Sequence, residues 1–66
     1  MAETIGKRIL DRRRELNLSQ EELSNLSGVS RPVISGLETG KDRDVLVGTL
    51  SALAGALDVP VEFFLT

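Results

Sequence analysis

The sequence predicts an all-α fold, a compact bundle of five short helices in which residues 1–66 form a single domain. Apolar side chains recur at helical spacing along most of the chain, and serine, proline and glycine stand where helices begin and end. A chain this short buries only about 60% of its unfolded surface and holds one small core. It contains neither cysteine nor histidine, so helix packing has to stabilise it without a disulfide or a histidine-bound metal.

The first helix is predicted over Thr4 to Leu16. Ile5, Ile9 and Leu16 recur near helical spacing and give it one apolar face, while its basic residues lie mostly on other faces. Asn17 is expected to end the helix. Solvated side chains are expected at three basic positions: Arg8, Arg12 and Arg14.

The second helix is predicted from the motif LSQEEL. Ser19 is the expected N-cap, and Glu22 three residues later completes an S-x-x-E capping box. Leu18 before the cap and Leu23 four residues after it form the apolar pair that fixes the angle of the incoming chain. Gly28 suits the left-handed conformation that ends a helix.

The third helix starts with the same signals a few residues later. Ser30 is its expected N-cap, with Val29 and Ile34 as the flanking apolar pair. Pro32 falls in the first turn, where its missing N–H costs no helical hydrogen bond. Gly40 is the expected C-terminal stop. Two short helices joined by a tight glycine-containing turn form a helix-turn-helix unit.

Two further helices are predicted after a charged loop, Lys41 to Asp44. The fourth is indicated by an apolar stripe at helical spacing, formed by Val47, Leu50, Leu53, Ala54 and Leu57. Pro60 opens a short last helix, Val61 to Leu65, which is rich in apolar side chains.

Catalytic chemistry finds little support in the sequence. No histidine or cysteine is available as nucleophile or base, and Ser19 and Ser30 are explained as helix caps. Glu21 and Glu22 fall in a first helical turn, where carboxylates offset the helix dipole. The two acids within Lys41 to Asp44 are far short of a calcium loop. We expect no enzymatic activity, no cofactor, no small-molecule ligand and no metal site.

Charge and hydropathy limit which partners and which location the sequence predicts for the chain. The net charge of −2 argues at first against a nucleic-acid partner. However, residues 1–43 carry all eight bases against seven acids, a net +1, whereas residues 44–66 carry three acids and no base, a net −3. No signal peptide is evident in MAETIGKRIL, and the apolar-rich stretch Val45 to Leu57 is too short to span a bilayer. We expect a cytoplasmic protein without a membrane partner.

Several landmarks fall together at the spacing of one known family: Arg13, LSQEEL, Gly28, LETG and ALDVPVEFF. Through them the chain, from IGKRILDRRRELNLSQEEL to LSALAGALDVPVEFFL, resembles the Cro and phage-repressor type of helix-turn-helix DNA-binding domain, the XRE-like family. The resemblance implies a five-helix bundle of the lambda-repressor-like type. It also implies a sequence-specific transcriptional regulator, a repressor, that places its third helix in the major groove of a double-stranded DNA operator.

The resemblance implies two sets of DNA contacts. Base edges are expected to meet residues near the start of the third helix: Ser30, Arg31, Pro32 and Ser35. Phosphates are expected to meet residues before and after it: Gln20, Thr39, Lys41 and Arg43. Arg31 is the only long donor of the first set and suits guanine O6 and N7; the alternative for both sets is an ordinary solvated surface. Gly36 leaves an outward position of this helix without the long polar side chain that is common in the family.

Two structural contacts are also implied. Arg13 and Glu38 are expected to pair inside the fold and to tie the first helix to the end of the third. The family usually binds two half-sites as a homodimer, and the apolar last helix offers a self-complementary surface. The expected interface residues are Val61, Phe63 and Phe64.

A second class of function stays open at this stage. A helix-turn-helix fold can keep its core and bind a partner protein instead, as an antitoxin-like adaptor with weak or no DNA binding. The acidic pI of about 4.9 and the bare Gly36 favour that alternative. DNA is favoured by four residues at matching positions: Arg31, Gln20, Lys41 and Arg43.

Overall fold

Five helices make up the part of the chain that the computed structural model describes, residues 2–42 and 44–65. They are α1 (Ala2–Glu15), α2 (Gln20–Ser27), α3 (Arg31–Glu38), α4 (Val47–Ala56) and α5 (Glu62–Leu65). The predicted all-α fold is therefore confirmed. No helix in these two ranges is long and apolar enough to cross a membrane.

The start of α2 is closed by the predicted capping box. The Ser19 hydroxyl oxygen accepts a hydrogen bond from the Glu22 amide at 3.0 Å, and the Glu22 carboxylate accepts one from the Ser19 amide at 2.8 Å. At the start of α3 the prediction is only half right, since Ser30 has the extended backbone of an N-cap but its side chain makes no capping hydrogen bond. The first amides of α3 are therefore open to an outside acceptor.

The first four helices are each followed, within a few residues, by a residue in the left-handed conformation. Gly28 and Gly40 have φ values of 77°, and Asn17 and Asp58 have φ values of 57°. After α1, the Asn17 amide donates to the Arg14 carbonyl at 3.0 Å, which satisfies a carbonyl group of the last turn. The stops predicted at Asn17, Gly28 and Gly40 are confirmed.

Every helix contributes to one apolar core. Its buried members are Ile9, Leu23, Ile34, Leu37, Leu50, Leu53, Ala54, Leu57 and Phe64. Within this packing, α3 contacts both α1 and α2, α5 contacts α1, and α4 contacts α2. Val47, predicted in the apolar stripe of α4, is instead 78% exposed, because it is the first residue of α4 and precedes the turn that reaches the core at Leu50.

Phe64 in α5 also departs from the prediction. Its side chain is 1% exposed, and its ring packs edge-to-face on Phe63 with centroids 5.4 Å apart. The prediction of Phe64 as a dimer contact is therefore wrong, because a side chain enclosed by its own core cannot reach a second copy. Val61 and Phe63 are half-buried, and Leu65 next to them is 63% exposed.

Gly6 lies at a close approach of α1 to α3. The residue is buried, and a Cβ atom built on it would overlap the main-chain carbonyl oxygen of Leu37. Only a glycine leaves room for the carbonyl group at this crossing. The crossing fixes where α3 lies on the rest of the domain.

Candidate nucleic-acid interface

Four predicted contact residues lie around one open depression at the starts of α2 and α3: Gln20, Arg31, Pro32 and Ser35. The local sequence explains this arrangement, because the capping box fixes where α2 begins and Gly28 turns the chain towards α3. Ser30 is exposed directly before α3. The surface thus presents a guanidinium, an amide and hydroxyl groups together.

Arg31 is the first residue of α3 and is exposed. The ion pairs formed among the described residues do not include it, and the first turn of α3 contains no acid. Its guanidinium lies beside the positive end of the helix dipole. A partner rich in hydrogen-bond acceptors or negative charge can pair with the Arg31 guanidinium and with the positive end of α3.

An almost buried ion pair lies behind the depression. Arg13 Nε donates to Glu38 Oε2 at 2.7 Å, and Arg13 Nη2 donates to Glu38 Oε1 at 2.8 Å. Arg13 Nη1 also donates to the Leu18 carbonyl at 2.9 Å. The two side chains are only 13% and 4% exposed. The hydrogen bond to Glu38 raises the pKa of Arg13, against the opposing effect of burial.

Gln20 is tied to this ion pair. Its Nε2 donates to Glu38 Oε1 at 2.9 Å, so one carboxylate accepts from both α1 and α2. The side-chain amide nitrogen of Gln20 carries two hydrogens. One is donated to Glu38, and the other can be donated to a binding partner. Sequence reasoning missed this link, because no spacing pattern relates Gln20 to Glu38.

The residues predicted to contact phosphates after α3 differ in their availability. Thr39 Oγ1 donates to the carbonyl oxygens of Ser35 at 2.9 Å and Gly36 at 3.3 Å, so its proton points into its own helix. Lys41 is exposed and belongs to none of the ion pairs formed within the described ranges. Arg43 lies outside the described residues.

Gly36 is not the bare outward position that the sequence predicts. It is buried, because the loop after α3 folds back and places Asp42 over it. The Asp42 amide donates to the Gly36 carbonyl at 2.9 Å. A Cβ on Gly36 would lie 2.7 Å from Asp42 Cγ and would overlap Asp42 Oδ2. The expectation of an empty position is corrected: a carboxylate from the loop occupies that space.

Two basic residues of α1 are not solvated as predicted. Arg12 Nε donates to the Leu57 carbonyl at 3.0 Å, and the Arg8 guanidinium lies 5.7 Å from the centre of the Phe63 ring. The second distance is that of a cation–π contact. Both side chains tie α1 to the C-terminal part of the fold, whereas Arg14 is exposed.

Donor groups dominate the chemistry of the depression. Across residues 2–42 and 44–65, no three Asp, Glu, His or Cys side chains come together as metal ligands. Guanidinium, amide and hydroxyl donors at the starts of two neighbouring helices suit phosphate oxygens and the acceptor edges of bases.

Comparison with known proteins identifies relatives by sequence. The helix-turn-helix family model matches residues 9–64. The chain is 39% identical over 64 residues to control protein C.SmaI of Serratia marcescens, covering 97% of this chain and 75% of that protein. It is 38% identical over 60 residues to an uncharacterized transcriptional regulator in the ATPase CF(0) region of Rhodospirillum rubrum, covering 91% of this chain and 55% of that protein.

Solved structures agree with the sequence comparison. The biofilm master regulator SinR in complex with DNA superposes with a TM-score of 0.91 at 31% identity, covering 94% of this chain and 98% of that chain. The restriction-modification controller protein C.AhdI of Aeromonas hydrophila superposes with a TM-score of 0.88 at 35% identity, covering 96% and 94%. Both likenesses span the five-helix arrangement.

Proposed function

Because this chain belongs to the helix-turn-helix family and is a DNA-binding transcriptional regulator, we propose that it places α3 in the major groove of a specific operator. One observation carries the proposal: Gln20, Arg31, Pro32 and Ser35 share one exposed depression at the starts of α2 and α3. In this docking geometry the start of the second helix of the unit meets the backbone, and the first residues of the third helix meet base edges.

The relatives support regulation rather than catalysis. C.SmaI is a control protein, C.AhdI is a restriction-modification controller, and SinR has been solved bound to DNA. In the proposed function the chain has no catalytic role and represses transcription by occupying its operator in the cytoplasm, where that DNA lies. No cofactor takes part.

The proposed contacts divide by chemistry. Arg31 donates to O6 and N7 of a guanine, and Ser30, Pro32 and Ser35 contact neighbouring base edges. Gln20 holds a phosphate through its remaining N–H and the start of α2, and Lys41 attracts a phosphate as an exposed point charge. Thr39 needs a rotation of its hydroxyl before it donates to phosphate. Arg43 is also proposed to contact a phosphate.

Replacing Arg31 and Lys41 separates base readout from backbone attraction. Arg31→Ala is expected to weaken operator binding by about 1–3 kcal/mol and to relax the preference at one guanine. Lys41→Ala is expected to weaken all sequences alike and to lower the slope of log affinity against log salt by about 1. Fluorescence anisotropy with a matched and a guanine-substituted site, over a series of salt concentrations, measures both effects.

Selection from a random DNA pool supplies the operator for these titrations and tests the proposed function itself. A chain that enriches no sequence contradicts operator binding and favours the protein-partner function. If Arg31→Ala discriminates the two sites as well as the parent does, Arg31 is a surface residue only.

As part of the same proposal, the chain binds two half-sites as a homodimer through α5. Phe63 on that helix and Val61 directly before it are half-buried, and Leu65 beside them is 63% exposed. A second copy is the occupant that this patch fits, because a symmetric operator presents the same α5 from two domains. Leu65 replaces Phe64 as the apolar contact of this surface.

The dimer is tested by a matched pair of substitutions. Leu65→Lys is expected to weaken self-association about a hundredfold, because two buried leucines per dimer are replaced by charges. Leu26→Lys is the control, since Leu26 in α2 is also 63% exposed and gains the same charge. Sedimentation of the parent and both variants, with and without operator DNA, measures the effect. A monomeric parent on a complete operator, or equal effects of both variants, contradicts the α5 interface.

A further inference from the structure

We propose that Asp42 is a specificity-determining residue, which supplies to α3 the side chain that Gly36 lacks and accepts a hydrogen bond from the N4 amino group of a cytosine. The inference rests on the proposed binding of α3 in the major groove. It assigns a base contact to a residue of the loop after the recognition helix.

Helical geometry places Gly36 on the outer face of α3. Residues four apart share a face of a helix, and Pro32, four residues earlier, is exposed and lines the depression. Ile34, two residues before Gly36, is buried in the core on the opposite side of the helix. A side chain at position 36 would therefore project beside Pro32, towards the same partner.

Asp42 occupies the space that such a side chain would fill. A Cβ on Gly36 would lie 2.7 Å from Asp42 Cγ and 3.4 Å from Asp42 Cβ. The overlap involves the carboxylate itself, and not only the stem of the side chain. The Asp42 carboxylate therefore occupies the position that the first side-chain atoms of a larger residue at position 36 would occupy.

The backbone holds Asp42 in this place. Gly40 turns the chain with a φ of 77°, and the Asp42 amide then donates to the Gly36 carbonyl at 2.9 Å. Both ends of the contact are thus fixed to the last turns of α3. Asp42 is nevertheless exposed, so the residue can be reached by a partner.

The chemistry of a carboxylate selects one base. An ionised carboxylate only accepts hydrogen bonds, and cytosine presents the N4 amino donor in the major groove. Guanine presents two acceptors, thymine presents one, and adenine pairs its N6 donor with the N7 acceptor. The carboxylate therefore attracts cytosine and repels guanine, which adds a repulsive element to the specificity.

The test compares Asp42→Asn and Asp42→Ala with the parent chain. Each protein is titrated against the selected operator and against sites with all four bases at each half-site position. In Asp42→Ala the preference for cytosine at one position is expected to fall about tenfold, with the other positions unchanged. In Asp42→Asn the preference at that position is expected to move towards adenine, because an amide both donates and accepts.

Gly36→Ala provides the matched control with the charge retained. Its Cβ displaces the carboxylate, so the same cytosine preference is expected to fall although Asp42 is still present. In the Asp42→Ala background the Gly36→Ala change is expected to have no further effect on that preference. Circular dichroism and thermal unfolding of each variant verify that the fold is retained.

Two outcomes overturn the inference alone. If both Asp42 variants bind every sequence more tightly by the same factor, the carboxylate only repels phosphates. If the cytosine preference is unchanged, Asp42 does not contact a base. A parent chain that selects no sequence at all overturns the proposed operator binding instead, and the inference falls with it.

Discussion

Glu38→Ala is expected to lower the free energy of unfolding by about 3–5 kcal/mol, because it leaves the Arg13 guanidinium buried without its partner. The Arg13 side chain is only 13% exposed, and two of its three hydrogen bonds end on Glu38. Urea unfolding followed by circular dichroism measures the loss. Because Glu38 raises the pKa of Arg13, the stabilisation that this shift represents is lost as the pH rises through the raised pKa.

The double variant Arg13→Met with Glu38→Leu is the control for this experiment. Replacing a buried ion pair by apolar side chains of similar volume is often neutral, so most of the lost stability is expected to return. A loss of less than about 1 kcal/mol in Glu38→Ala would show that the pair behaves as a surface pair in solution.

Gly6→Ala is expected to destabilise the protein by about 3 kcal/mol, at the upper end of the usual range for overpacking. The added methyl group overlaps the Leu37 carbonyl, a main-chain atom of α3 that cannot move without shifting the helix. This cost outweighs the higher helix propensity of alanine, which is worth about 1 kcal/mol.

Gly55→Ala is the matched control, because Gly55 also lies within a helix and a Cβ on it meets nothing within 4 Å. It is expected to raise stability by up to about 1 kcal/mol. Thermal unfolding of the two variants beside the parent compares them directly. If Gly6→Ala stabilises the protein as Gly55→Ala does, the close crossing of α1 and α3 is absent in solution.

The helix ends could be predicted because their causes are local. Ser19 and Glu22 form the capping box from a spacing of three residues, and Asn17 ends α1 through its own backbone conformation. Gly6 carries no such signal, since its reason is a carbonyl group far along the chain. The burial of a side chain is harder to predict from the sequence than the position of a helix. Phe64 belongs to the core because of how α5 packs on α1.

For the candidate site, the sequence predicts which residues share a surface but not the contacts that depend on side-chain and loop geometry. The resemblance placed Gln20, Arg31, Pro32 and Ser35 on one surface, and the structure brings these four together. The bond between Gln20 and Glu38 and the cover of Gly36 by Asp42 depend on side-chain and loop geometry, which residue spacing does not encode. Both were therefore missed.

The shared carboxylate of Glu38 has a consequence for how the domain opens. Because it accepts from Arg13 in α1 and Gln20 in α2 while belonging to α3, separating any one of these helices breaks a buried polar contact of another. Backbone amides of the three helices are thus expected to exchange with solvent deuterium as one cooperative unit of similar opening free energy. The four-residue α5 is held to α1 by the Arg8–Phe63 contact and not by this carboxylate, so it is expected to open at lower cost. In the proposed function, the unit of α1, α2 and α3 that reads the operator therefore stays folded while α5, the proposed dimer contact, opens and closes.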